Sequence, residues 1–403
     1  MALTAYRYEL PLARPFRTSG RTWLSRQGVL LRLKHKDVTA WGEAAPLPGF
    51  SRETVAEVAA QTRELASGMM ELFEEEVDLP GEAERALPGS NTHPADIPPP
   101  RGWKLGDTGE PFLTGVSRYP RVNRFLLEHR VPPALQFAID TLWTDYHAQR
   151  EGCSPGTLLF GRMPDAIPVN AVLSLGDDLE ETLARAGKLA EGGFGTIKVK
   201  VGDEGGSGIA LLKALRKRHP DLRLRADANR AWSPKQALEA FAALEDAELE
   251  YCEEPLANCT PASLEHLASR TKVPVALDES LTDPAFSVDL LPFVNFFILK
   301  PMVAGGLSNL FATKALADDH DIEIIVTSSL EGSTGRSMTA LIAGGLGSRD
   351  FAHGLATASV LEKDFRSSPP GGEPPAVSPP RGPGLPPVDP DLLSTLSTER
   401  LEL

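Results

Sequence analysis

From Ile167 onward the chain alternates between short apolar, β-branched runs and longer stretches whose apolar residues recur every three or four positions. The short runs predict strands at Val169–Leu173, Thr196–Val201, Leu222–Asp227, Leu249–Glu253, Val275–Asp278, Phe296–Lys300, Ile324–Thr327 and a brief one near His353–Leu355. The stretches Leu179–Leu189, Gly208–Lys217, Pro234–Leu244, Ala262–Ser269 and Leu307–Ala317 carry helical periodicity. Eight strands with helices between them predict an α/β fold, a closed (β/α) barrel rather than a doubly wound sheet.

The first part of the chain reads differently. Ala5–Leu10 and Gly28–Leu33 are strand-like, and a helix is expected from Ser51 toward Leu72, with Ser51, Thr54 and Glu57 at its start. Between them Trp41-Gly-Glu-Ala-Ala-Pro-Leu-Pro-Gly-Phe50 reads as a turn-rich loop, unusually apolar for a surface connection: a buried connector or one wall of a ligand pocket. Residues of about 80–120 are rich in Pro, Gly and polar side chains and read as an irregular insertion, followed by a helix from Pro133 to Gln149. Ser367–Pro390 holds ten prolines, which excludes a helix or a central strand and makes the segment a linker. The last dozen residues are expected to return to the N-terminal part. The organisation predicted is thus 1–150 as an α+β domain with the insertion, 160–366 as the barrel, and 367–403 as a returning tail.

Charges break into the apolar runs at Lys198, Lys200, Asp227, Glu253, Asp278 and Lys300. An unpaired charge in a core is costly, so these residues are expected to face a shared site. From Lys200 the intervals are 27, 26, 25 and 22 residues, about one strand-plus-helix unit each in a barrel of roughly 250 residues and eight units. One charge per strand end converges on a single mouth.

Asp227, Glu253 and Asp278 end three consecutive strands without an accompanying His or Cys, a donor set that suits a hard, oxygen-seeking cation such as Mg²⁺. Each alone could be a helix cap or an ion-pair partner, but three in consecutive units weigh against that. Lys198 and Lys200, two apart on one strand, share a face, and Lys300 follows four strands later, across the barrel. Near a cation and a second ammonium a lysine's affinity for its proton falls, which suits it to act as a base. Opposed lysines around a carboxylate-bound metal point to proton abstraction alpha to a carboxylate, with several kcal/mol of enediolate stabilisation from fixed positive charge. A barrel aldolase using Lys200 or Lys300 as a Schiff-base nucleophile is the alternative from a different class.

Composition narrows the field. The 403 residues are 41% hydrophobic and 24% charged, which favours two domains over one. No apolar stretch reaches the roughly 18 residues that span a bilayer, and Met1-Ala-Leu-Thr-Ala-Tyr-Arg-Tyr8 lacks a signal-peptide layout, so the expected location is cytoplasmic, with no membrane partner. Cys153, Cys252 and Cys259 are odd in number and lack zinc-site spacing, which argues against disulfides and thiolate metal binding; Cys252 reads as packing. A net charge of −14 with no dense basic tract argues against nucleic acid. The expected partner is a small-molecule carboxylate, and no pattern fixes an oligomeric state.

Taken together, Trp41-Gly-Glu-Ala-Ala-Pro-Leu-Pro-Gly-Phe-Ser51, Lys198-Val-Lys-Val-Gly202, Arg225-Ala-Asp-Ala-Asn-Arg-Ala-Trp232, Glu253-Glu-Pro255, Leu277-Asp-Glu-Ser280, Leu299-Lys-Pro301 and Thr327-Ser-Ser-Leu-Glu-Gly-Ser333 resemble the Lys-x-Lys, muconate lactonizing enzyme-like branch of the enolase superfamily. A lysine base working beside Mg²⁺ is a pairing found in that superfamily. The Pro-Leu-Pro-Gly-Phe-Ser51 and Ser-Ser-Leu-Glu331 loops are similar to those of the o-succinylbenzoate synthase family. The resemblance implies an α+β capping domain over a modified TIM barrel, with Gly-Pro-Gly-Leu385 returning the tail to it. It implies Asp227, Glu253 and Asp278 as Mg²⁺ ligands, Lys200 as the base, Lys300 as the opposing charge, Lys198 as support for Lys200 and Asn229 as support for the metal region. Arg225, Thr327 and Ser328 are candidate supporting or substrate-binding residues. The activity implied is dehydration of 2-succinyl-6-hydroxy-2,4-cyclohexadiene-1-carboxylate to 2-succinylbenzoate in menaquinone biosynthesis, with N-acylamino acid racemase or dipeptide epimerase as the alternative. The 80–120 insertion and the extended 367–390 segment depart from the family pattern.

Overall fold

The computed structural model describes residues 1–18, 21–77, 120–173, 178–202, 206–367 and 374–403; the expected insertion lies outside them up to residue 119, as do 368–373 of the proline-rich segment. Among the described residues no helix is long and apolar enough to cross a membrane.

An antiparallel sheet opens the chain, with strands β1 (Ala2–Thr18), β2 (Arg21–His35) and β3 (Val38–Ala44). Its outer strand comes from the far end of the sequence: Ser397–Leu401 pairs with β1, with Ala5 opposite Leu401. The helix after this sheet begins at Val55, not Ser51. Thr54 and Glu57 form a reciprocal cap, the Glu57 carboxylate accepting from Thr54 N and the Thr54 hydroxyl accepting from Glu57 N, while Ser51 caps nothing and instead accepts from Leu47 N.

The expected loop from Trp41 is also partly corrected, because Trp41–Ala44 completes β3. Both faces of that strand are covered, so it lacks the alternation that marks a half-buried strand. Gly42 permits the close packing: a Cβ there would stand 2.0 Å from the Ala138 carbonyl oxygen, on the helix Pro133–Glu151. Phe73 and Trp143 stack with ring centres 4.6 Å apart beneath the sheet.

After the two-residue strand β4 (Ile167–Pro168), a parallel sheet runs through β5 (Ala171–Leu173), β6 (Thr196–Lys200), β7 (Arg223–Asp227), β8 (Leu249–Glu253), β9 (Val275–Leu277), β10 (Phe296–Leu299) and β11 (Glu323–Val326), in sequence order. The expected eighth strand is reduced to single bridges, Val169 to His353 and Thr327 to Gly354, which join the two ends of the sheet. Asn170 N donates to His353 O and Gly354 N to Val326 O, each at 2.9 Å. His353 itself is structural: burial, helped by Arg225, pushes its imidazole down to about 4, and Nδ1 accepts from Val326 N. Of the expected strand Val169–Leu173, Ala171–Leu173 forms β5 and Val169 bridges His353, while the preceding Ile167–Pro168 pairs with β12 (Ala376–Val377).

Three buried side chains tie the N-terminal part to the ring and to the returning tail. Glu43 accepts from Tyr8 Oη and from Gly332 N and Gly335 N. Arg26 donates to main-chain oxygens of Ala45, Pro46, Ser329 and Leu330. Asp145 accepts from Trp41 N and from Leu385 N of the returning tail.

Candidate active site

The parallel register sets the site. Lys200 lies opposite Asp227, and Asp227 opposite Glu253, so residues ending adjacent strands reach the same level. Asp278 directly follows β9, where the chain leaves extended geometry for a single 3₁₀ turn, Glu279–Thr282. The exposures of Asp227, Glu253 and Asp278 are 3%, 2% and 7%, so all three carboxylates are buried together.

Two lysines hold these carboxylates. Lys198 Nζ lies 2.8 Å from Asp227 Oδ2 and 2.9 Å from both Glu253 oxygens, although its Cα sits one layer lower beside Arg225. Lys300 Nζ pairs with Asp278 and stands 4.7 Å from the Phe50 ring centre. Lys200 differs from both: it makes no hydrogen bond or ion pair with any described residue.

Burial opposes every charge here, and neighbours decide the outcome. It pulls Lys198 and Lys300 down, but Asp227 and Glu253 beside the first, and Asp278, Glu253 and Glu279 beside the second, outweigh it and leave both lysines raised. At Lys300 the paired Asp278 carboxylate favours the charged form. Among the carboxylates, burial and then Asp227 push Glu253 up. Burial also raises Asp278 despite Lys300, whereas at Asp227 Lys198, Lys200 and Lys300 overcome it and hold the group low. Lys198 lies equally near Asp227 and Glu253, so the two carboxylates share one ammonium.

Among the described residues no three ligand-type side chains already converge as a preformed metal cage. The donor set nonetheless fits a hard divalent cation: three buried carboxylates, Asp227 and Glu253 in register at the ends of β7 and β8 and Asp278 directly after β9, all oxygen, with ammonium groups as their present partners.

The remaining candidates separate. Arg225 is fully buried below the carboxylates, bound to Glu250, Asn170 and the Ala352 carbonyl with its guanidinium 4.8 Å from the Tyr251 ring centre, so it braces the barrel interior. The sequence could not make this distinction, since Arg225 and Asp227 share a face of β7 but not a layer. Asn229 meets Asp227 through its main-chain N–H at 3.1 Å. Ser328 donates to Glu331 and accepts from Leu330 N and Thr357 Oγ1, which fills its hydrogen-bonding capacity. Thr327 Oγ1 is buried with no partner among the described residues.

Sequence reasoning overlooked Phe50 as a contact of Lys300, and the pair Glu254 and Arg230. The signal for Glu254 was the second carboxylate of Glu253-Glu-Pro255, a charge in a place as buried as the first. A cavity of about 410 Å³ opens beside Asp278 and Lys300, walled by Phe50, Ser51 and Arg52 from the N-terminal part and by Leu281 and Phe286. A larger one of about 620 Å³, between Arg336, Arg366 and the tail, contains none of the carboxylates or lysines above, so size does not locate the chemistry.

Residues 181–386, just over half of the chain, match the family described as Enolase C-terminal domain-like, and residues 1–83 match MenC, N-terminal domain. An L-Ala-D/L-Glu epimerase from Bacillus subtilis is 27% identical over 83% of this chain and 82% of its own length. An o-succinylbenzoate synthase from Enterobacter is 27% identical over 89% of this chain and 92% of its own. In fold, the muconate lactonizing enzyme of Pseudomonas fluorescens, solved with muconolactone, superposes with a TM-score of 0.76 at 21% identity, covering 98% of each chain.

Proposed function

Since the chain belongs to the enolase superfamily of enzymes, we propose that it dehydrates 2-succinyl-6-hydroxy-2,4-cyclohexadiene-1-carboxylate to 2-succinylbenzoate, the o-succinylbenzoate synthase reaction of menaquinone biosynthesis. The observation that carries the reading is the contrast among the lysines: Lys198 and Lys300 are bound to carboxylates, while Lys200, at the same level as Asp227, is uncommitted among the described residues. The match of residues 1–83 to MenC, N-terminal domain favours dehydration over the superfamily's other reactions.

Lys200 takes the proton alpha to the substrate carboxylate, and the electron pair moves into that carboxylate to give an enediolate. The C–O bond to the ring hydroxyl then breaks as the Lys200 ammonium returns the proton to the departing oxygen. One water leaves, and the ring becomes aromatic without any oxidant. Lys300, with its ammonium against the Phe50 ring, holds positive charge across the carboxylate cluster from Lys200. Lys198 fixes Asp227 and Glu253 from below. Asp227, Glu253 and Asp278 are the residues that would hold Mg²⁺, which when bound supplies fixed positive charge beside the developing enediolate.

The test is to mix purified protein, Mg²⁺ and the cyclohexadiene substrate and follow the diene absorbance. Its loss, with 2-succinylbenzoate as product, is expected; no change with folded, metal-loaded protein sinks the assignment.

The second reading is racemisation or epimerisation of an N-acylamino acid or dipeptide. It is supported by a lysine on either side of the carboxylates, one for each stereochemical face, and by the similarity to the Bacillus subtilis epimerase. Faster deuterium exchange and racemisation of a single N-succinyl amino acid enantiomer than dehydration would select it.

A further inference from the structure

Glu254 lies outside the three carboxylates that the reading above assigns to the metal, yet it connects the strand ends that carry all of them. It is 1% exposed and adopts φ of +43°, a left-handed conformation that is rare for a residue with a side chain. That turn carries the Glu254 side chain from the end of β8 toward the loop after β9. There one carboxylate oxygen, Oε1, accepts from both Asp278 N and Ser280 N at 2.8 Å. The other, Oε2, accepts from Ser280 Oγ at 2.8 Å and from Arg230 Nε at 3.3 Å.

The main chain of Glu254 completes the connection. Its N–H donates to Ala276 O at 3.0 Å, and its carbonyl accepts from Arg230 N at 2.8 Å, while the preceding carbonyl of Glu253 accepts from Ala228 N. Arg230, also at positive φ, extends on to Ser280 Oγ and Asp283. A buried carboxylate with four donors of its own has no capacity left to act as a ligand, but it determines where the Asp278 main chain sits.

We infer that Glu254, braced by Arg230, is a positioning residue that sets the Asp278 carboxylate relative to Asp227 and Glu253 for a divalent cation; the inference rests on the metal-site reading above. Outer partners that orient ligands typically contribute about 10–100-fold to metal affinity.

The experiment is Mn²⁺ binding to the full chain, read by electron paramagnetic resonance as free against bound ion, with far-UV circular dichroism and thermal melting on each sample. Glu254→Gln keeps the shape but loses charge and one acceptor, and is expected to raise the Mn²⁺ Kd about 10–100-fold while melting cooperatively. Arg230→Met alters a half-buried side chain outside the proposed ligand set and is expected to raise the Kd by less. A wild-type Kd in folded Glu254→Gln overturns the inference. If that variant does not fold, Arg230→Met decides, and an unchanged Kd there overturns it equally. A wild-type protein that binds no Mn²⁺, or whose binding Asp227→Asn leaves untouched, overturns the metal-site reading itself and this inference with it.

Discussion

Lys198 Nζ sits 2.8 Å from Asp227 Oδ2 although the two residues belong to different layers of the barrel, because the lysine's long stem rises past its neighbour. Its companion Lys200, two residues on and level with Asp227, has no such partner among the described residues. Two lysines on one face of one strand therefore stand in different surroundings, and the consequence for turnover is measurable.

Lys200→Ala should lower kcat by at least the roughly 10²–10⁴-fold expected for losing a general base, with the circular dichroism spectrum and melting temperature unchanged. Near-full turnover in Lys200→Ala would falsify the assignment of the base.

Asp227→Asn should weaken Mg²⁺ binding and turnover together, because it removes one charge from the three-carboxylate cluster and also a partner of Lys198. Chelation of divalent ions from wild-type protein should stop turnover, and added Mg²⁺ should restore it. Calorimetric titration and rate assays on the same preparation check the link. A variant with unaltered Mg²⁺ affinity would remove Asp227 from the ligand set.

Asp140 gives a pH prediction away from the site. It lies in the helix Pro133–Glu151 and accepts from Leu307 N at 2.7 Å, and burial pushes its carboxyl up to about 7 against that hydrogen bond. The folded state thus holds the proton more tightly than an unfolded chain with an ordinary value of about 3.9. The contribution to stability is full below about pH 4 and is lost as pH rises through about 7. Asp140→Asn, which keeps an acceptor for Leu307 N but cannot ionise, should therefore gain stability relative to wild type between pH 5 and pH 8, on the order of 1–4 kcal/mol. Urea unfolding at both pH values reads it; a difference that does not grow with pH shows that Asp140 is not the titrating group.

Much of the site was legible because strand periodicity and charge spacing are local properties. A charge in an apolar run is costly wherever the chain goes, and one strand-plus-helix unit has a nearly fixed length, so Lys200, Asp227, Glu253 and Lys300 could be placed at strand ends from spacing alone. The strand at Val38–Ala44 was not legible, since cover on both faces erases alternation. The eighth strand shrank to two bridges because closing the ring needed only His353 and Gly354 to pair on either side.

By itself, then, the sequence determined the alternating strands and helices and the charged residues at the strand ends. Tertiary structure alone decided their partners. Strand register fixes the level of a Cα, but the length of a side chain and the surrounding burial fix where its charge ends. That is why Lys198 binds carboxylates one layer above it, Lys300 meets Phe50 from the other end of the chain, and Arg225 turns into the barrel interior. Glu254 shows the same limit: its carboxylate is plain in the sequence, but its four donors come from segments that only folding brings together.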